Sequence, residues 1–257
     1  MTRATIITMG VELTTLSGAT NRVFTLAEQG KGAYVCVSNV HMCMEVFDST
    51  DFAAVVNGAD LVIPDGKPLA IAQKLLGYRH AAQVRGQDIM NKLCGLSGER
   101  GLNIGLYGGG SDVILGLVQS NLVAQYPDIK IAYAFSPPFR ALTDEENIAV
   151  INGINKAKVD LLFVGVGCPK QEIWMAEHRD HLTCVMLGVG AAFDFIAGNK
   201  KHAPRWIQHI GLEWLFRLCS EPGRLWKRYL KQNPRFIWYF LQQWLLGKQF
   251  HKSGNHQ

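Results

Sequence analysis

Along most of this chain, short apolar runs alternate with amphipathic stretches, and that alternation restricts the fold more than any other feature. Ala33–Val37 reads as a strand, with a helix expected near His41–Asn57. Asp60–Ile63 precedes a helix near Pro68–Leu76. Leu102–Tyr107 runs into Gly108-Gly109-Gly110 and then a helix over about Asp112–Gln125. Ile129–Ala134 is another strand, followed by the extended loop Ser136-Pro137-Pro138-Phe139. Thr143-Asp144-Glu145-Glu146 has the form of a capping box opening a helix through Lys156. Asp160–Val166 and Thr183–Val189 complete the series, each leaving through glycines towards an expected helix. Repeated β–α units of this length imply an α/β fold, a parallel sheet with helices on both faces.

Beyond Pro204 the β pattern stops and Trp- and Arg-rich helical sequence takes over. The expected organisation is a core over 1–199 and a basic, aromatic-rich helical appendage over 200–257. Charge follows the same division. Residues 200–257 hold 11 Lys and Arg against 2 acids, a balance of +9, while the remaining 199 residues hold 15 against 19, a balance of −4. All of the excess positive charge therefore lies in the last quarter, which points to an anionic partner there. Arg217, Arg224, Lys227, Arg228 and Lys231 alternate with Trp226 and other aromatics, a pattern suited to a helix lying in a membrane interface. Nucleic acid fits less well, because a long aliphatic-aromatic run follows the cations. No stretch reaches the ~18 apolar residues of a bilayer span. The N-terminus enters strand-like sequence without a signal peptide, and six cysteines without a CxxC pair read as free thiols of a reducing compartment.

Chemistry is expected where strands end, because open α/β sheets bind ligands at the carboxyl edge. Asp65 leaves the run Leu61-Val62-Ile63 between Pro64 and Gly66, Asn39 follows Val37-Ser38, and Arg85 sits in Val84-Arg85-Gly86. An acid, an amide and a guanidinium at separate turns suggest one polar site assembled from several loops, although Asp65 alone would serve as a turn former. Gly108, Gly109 and Gly110 bare a backbone that could approach a phosphate at a helix start, or simply make a tight turn. Gly167-Cys168-Pro169-Lys170-Gln171 places a cation and an amide at another helix start, suited to the diphosphate and hydroxyls of a sugar nucleotide. No metal-binding spacing is evident, neither Asp-x-Asp nor HxxxH. Two competing readings are a Rossmann-type dinucleotide oxidoreductase, which lacks the GxGxxG spacing, and a non-enzymatic binder of anionic lipid or nucleic acid.

Taken in order, these segments resemble the WecG/TagA/CpsF family of bacterial glycosyltransferases. The resemblance rests on Asn39, the stretch Ala59 to Gly66, Arg85-Gly86, Gly105 to Gly110, Ser136 to Phe139, Gly165 to Glu172, Gly188 to Ala191, and Ala203-Pro204-Arg205-Trp206 leading to Gly211 through Leu218. It implies a Rossmann-like core and inverting transfer of a sugar from a UDP-sugar donor to a polyprenyl-diphosphate-linked acceptor. The sugar would be of the N-acetylmannosamine, N-acetylmannosaminuronic acid or glucose type. It further implies a reaction without metal or other cofactor, no nucleic-acid partner, and peripheral attachment to the cytoplasmic face of the bacterial inner membrane at an anionic surface. Oligomeric state stays open, homo-oligomers included. By the same resemblance Asp65 is the base, Asn39 orients substrate, Arg85 stabilises the leaving diphosphate and Gln171 contacts substrate. The chain departs from some members at Val37, where they carry Thr, so a hydroxyl contact at that place would have to come from Ser38.

Overall fold

The computed structural model describes residues 2–200, 203–204, 207, 213–247 and 250; the motif residues Arg205, Trp206, Gly211 and Leu212 and the side chain of Arg224 lie outside them. The chain begins with an antiparallel hairpin of β1 (Arg3–Ile6) and β2 (Met9–Glu12), which turns at Ile7 with φ of 61°. After α1 (Leu16–Glu28) come β3 (Ala33–Ser38), α2 (Val40–Asp48), α3 (Thr50–Asn57), β4 (Leu61–Pro64), α4 (Lys67–Leu75) and α5 (Gly86–Ser97). Then follow β5 (Asn103–Gly108), α6 (Asp112–Gln125), β6 (Lys130–Phe135), α7 (Asp144–Lys156), β7 (Leu161–Gly165), α8 (Lys170–His178), β8 (Val185–Gly188) and α9 (Ala192–Ile196). Two further helices close the described chain, α10 (Glu213–Ser220) and α11 (Pro222–Leu246).

Strands β3 to β8 form one parallel sheet in the order β4-β3-β8-β7-β5-β6, the parallel sheet that the alternation predicts and the Rossmann-like architecture that the resemblance implies. Their residues are apolar in near-continuous runs because both faces are covered. Cys36, Val62, Leu162 and Met186 pack against α2, α3, α7 and α8, whereas Val35, Ile63, Phe163 and Leu187 pack against α1, α5, α6 and α9. The hairpin shields the β4 edge. Glu12, almost fully buried, accepts the Val62 N–H at 2.7 Å with one carboxylate oxygen and Arg3 Nε at 2.6 Å with the other. An exposed edge strand would otherwise offer that donor to another chain.

Local chemistry explains several helix starts. Asn39 caps α2 by accepting from the Met42 N–H, Ser111 caps α6, and Thr143 with Glu146 closes the expected capping box of α7. The single helix expected over His41–Asn57 is instead two, because Ser49 adopts an extended conformation and caps α3 through the Phe52 N–H. Gly108 ends β5 with φ of 136°, and a Cβ there would stand 2.5 Å from the Gly165 carbonyl oxygen. Only glycine lets β5 and β7 approach this closely as they diverge.

Helix α11 is laid along α2. Leu225, Gln232, Phe236 and Phe240 recur on one face of it and are buried. Arg235 grips Asp48 with both terminal nitrogens at 2.5 and 2.9 Å, and Gln243 bonds the hairpin at the Ile7 N–H and the Thr5 carbonyl. Trp226, Leu230, Ile237, Leu241 and Trp244 fall within about 60° of one another on a different face and are exposed. Among the described residues no helix is long and apolar enough to cross a membrane.

Candidate active site

Asp65 is fixed before it does any chemistry. Its N–H donates to the Ser38 carbonyl at 2.8 Å, tying the end of β4 to the end of β3. Its own carbonyl accepts from Gln83 Nε2 at 2.6 Å. The carboxylate Oδ1 accepts from the Gly86 N–H at 2.7 Å, the first residue of α5, so the positive end of that helix faces the acid. Gly86 has to be small, because a Cβ there would meet Val37 Cγ1 at 3.1 Å and the Val189 carbonyl oxygen at 3.4 Å.

A cavity of about 500 Å³ opens beside this carboxylate. The ends of β3 and β4 supply one wall, with Asn39, Asp65, Lys67 and Arg85, and α10 and α11 supply the other, with Arg217 and Arg228. The sheet edge and the appendage thus build the site together. Four cations surround one carboxylate on these walls, an arrangement that favours a polyanionic ligand. The Nε atoms of Arg217 and Arg228 are buried without a hydrogen-bond partner in the wall of the cavity. His41 also lines it; burial, with Arg228 and Lys231 nearby, lowers its pKa to about 4, so its imidazole is neutral at physiological pH.

The expected site residues divide into three groups. Asp65, Asn39 and Arg85 meet at the cavity, as separate strand exits predict. Gly108, Gly109, Gly110, Gly167 and Lys170 lie further along the same carboxyl edge, at the ends of β5 and β7. The chain leaves β5 for α6 on one face and β7 for α8 on the other, so the two ends open the crevice typical of a topological switch point. Gln171 differs: it is only 3% exposed, its Oε1 accepts from the Gly167 N–H and its Nε2 donates to Glu172, so its amide faces inward rather than into the cavity. Ser38 is fully buried and its hydroxyl donates to the Ile63 carbonyl, so it does not replace the hydroxyl that Val37 lacks.

The appendage residues divide as well. Trp226, Lys227 and Lys231 are exposed, consistent with an outward-facing surface, whereas Arg217 and Arg228 are half-buried in the cavity wall. Composition assigns all of these cations to one surface because it cannot register which face of a helix each occupies. Lys67 and Gln83 are not among the expected site residues, and His41 enters only at the start of an expected helix; Lys67, two residues after Asp65, is the one that proximity alone can find. The appendage is anchored by Lys200, whose ammonium bridges Asp194 at 2.5 Å and Glu221 at 3.3 Å, and by Arg217 over the Phe195 ring.

A carboxylate at a cation-lined cavity can take a proton from a hydroxyl while the cations hold an anionic leaving group. Comparisons with known proteins give the family. The glycosyl transferase WecG/TagA/CpsF family matches residues 4–250. An N-acetylglucosaminyldiphosphoundecaprenol N-acetyl-beta-D-mannosaminyltransferase of Bacillus subtilis is 33% identical over 205 residues, 79% of this chain and 77% of that protein. An enzyme of the same name from Bacillus spizizenii is 28% identical over 232 residues, 90% of this chain and 87% of that protein. The chain belongs to the WecG/TagA/CpsF family and is a glycosyltransferase.

Proposed function

We propose that the protein transfers an N-acetylmannosaminyl group from UDP to the N-acetylglucosamine of a diphosphoundecaprenol-linked acceptor, inverting the anomeric centre, at the cytoplasmic face of a membrane. The observation that carries this reading is the placement of Asp65 in a cavity whose opposite wall is the appendage. Asp65 takes the proton of the acceptor hydroxyl as its oxygen bonds to the donor's anomeric carbon. The bond from that carbon to the UDP oxygen breaks on the opposite side, and UDP departs with the electron pair. Arg85, Arg217, Arg228 and Lys67 stabilise the charge that develops on the diphosphate. Asn39 orients substrate beside Asp65, and the glycine turns at Gly108–Gly110 and Gly167 receive the nucleotide along the sheet edge. The choice of sugar and acceptor follows the names of the Bacillus relatives.

The appendage brings this chemistry to the lipid. Trp226, Leu230, Ile237, Trp238 and Leu241 are exposed beside Lys227 and Lys231, and Leu230 and Ile237 also reach the cavity. An acceptor with its diphosphate at the headgroup plane would enter where apolar surface and cations adjoin.

The test is turnover with a panel of UDP-sugars and an N-acetylglucosamine diphosphate lipid. UDP-N-acetylmannosamine is expected to give a β-linked disaccharide lipid. Asp65→Asn, which keeps an acceptor for the Gly86 N–H, is expected to bind UDP and lose about 10²- to 10⁴-fold in kcat. Full activity in that variant removes the base assignment, and turnover only with another sugar nucleotide removes the donor assignment.

A further inference from the structure

Glu172, in the first turn of α8, plays no part in the chemistry above, yet it is fully buried at 0% exposure. Buried carboxylates are rare unless something holds them. Its Oε1 accepts from Gln171 Nε2 at 2.6 Å, the Cys168 thiol donates to the same carboxyl, and Oε2 has no hydrogen-bond partner. The Gln171 amide carries the contact onward, for its Oε1 accepts from the Gly167 N–H at 3.2 Å. A Cβ on Gly188 would stand 2.9 Å from Gln171 Nε2, and one on Gly190 3.8 Å from its Oε1. Two adjoining side chains therefore span the exits of β7 and β8. Next to Gly190, the Val189 carbonyl lies against Gly86, whose N–H holds the Asp65 carboxylate.

We propose that Glu172 is a positioning residue that fixes, through the Gln171 amide, the Gly167 turn in the conformation that receives the donor nucleotide, an inference that rests on the glycosyltransferase reading above. A primary amide has one accepting and one donating end, and an ionised carboxylate only accepts. Charged Glu172 thus compels Gln171 to turn Nε2 towards it and Oε1 towards the Gly167 N–H. A protonated carboxyl can also donate, so the amide finds a partner in either orientation. The reversed orientation sets Nε2 against the Gly167 N–H, donor on donor, and the turn loses its tie. Charge on Glu172 leaves the reversed amide without a partner at either end and so tightens the lock.

Burial raises the Glu172 pKa to about 7, against the hydrogen bonds from Gln171, its own backbone N–H and Cys168. Cys168 on the preceding turn and Cys36 on β3 are the titratable groups facing it, with Glu45 on α2 acting in turn on Cys168. No cation is among the groups that shift it. The lock therefore engages as pH rises through neutrality.

The isosteric Glu172→Gln keeps the shape and removes the charge. In ¹⁵N-labelled protein without substrate, the Gly167 amide resonance is expected to titrate with a midpoint of about 7 in the parent and to stay flat in the variant. kcat/KM for the donor is expected to rise through the same midpoint in the parent. In the variant it should lose that limb and fall about tenfold at alkaline pH, with KM carrying the change. Glu172→Asp, which restores the charge, is expected to recover part of the pH limb. A Gly167 resonance that does not titrate, or that titrates equally in Glu172→Gln, overturns the proposal. Absence of UDP binding to the parent in calorimetry overturns instead the glycosyltransferase reading beneath it, a failure the resonance does not share.

Discussion

Replacing Glu172 with Gln should change how stability depends on pH, and the size of that change follows from where the carboxyl sits. Burial raises its pKa from 4.5 to about 7. Below the unfolded value the group is protonated in both the folded and unfolded chains and costs nothing. As pH rises, the unfolded chain ionises first while the folded chain keeps its proton, so stability falls and the loss is complete above about 7. At about 1.4 kcal/mol per pH unit, that interval corresponds to roughly 3 kcal/mol. Glutamine does not titrate, so the variant escapes the loss. Urea unfolding of parent and variant at about pH 4.5 and pH 8 reads it directly, since every other titrating group cancels in the difference. The stability difference, variant minus parent, should shift by about 3 kcal/mol in favour of the variant between the two conditions. A difference that does not vary with pH refutes the reasoning, because Glu172 would then titrate alike in both states. A residue that costs stability at working pH while ordering a substrate turn fits the common exchange of stability for function.

Other consequences test the fold and the division of the appendage. Gly108→Ala places a Cβ 2.5 Å from the Gly165 carbonyl oxygen at φ of 136°, so it should cost about 3 kcal/mol or more in urea unfolding. Gly116→Ala, within α6 where a Cβ meets nothing within 4 Å, should instead stabilise by about 0.5–1 kcal/mol; similar values for the two would refute the packing argument. Arg217→Ala and Arg228→Ala should each raise KM for the donor about tenfold or more while leaving sedimentation with anionic liposomes little changed. The reverse pattern would return both arginines to the membrane surface. Trp226→Ser with Trp238→Ser should weaken liposome binding about tenfold or more with the unfolding midpoint little altered, because both rings are exposed; unchanged binding rejects the docking face.

The sequence carried the fold because its signals are local. Apolar runs of strand length, glycines at their ends, and caps such as Thr143 with Glu146 act within a few residues, and the parallel sheet they imply is what forms. The expected elements do not include α1 and α5, and the Ser49 break between α2 and α3 does not show in the sequence because a single extended residue leaves the helical period nearly intact. The site was legible in part. Asp65, Asn39 and Arg85 stand at strand exits, and parallel strands deliver their exits to one edge.

What the sequence determined by itself is the alternation, the carboxylate at the end of β4, and the concentration of positive charge in the last quarter. Tertiary structure alone decided which of those charges turn inward. Arg228 shares a composition with Lys227 and Lys231, yet α11 lies on α2 through Phe236 and Phe240, and that contact turns Arg228 into the cavity and leaves the lysines in solvent, while Arg217 reaches the same cavity from α10, which packs on α11. The same is true of Gln171, whose position at a helix start suggested a substrate contact until the approach of Gly188 and the buried Glu172 turned its amide inward. A side chain's chemistry is written in the chain; the direction it faces is set by contacts between residues far apart along it.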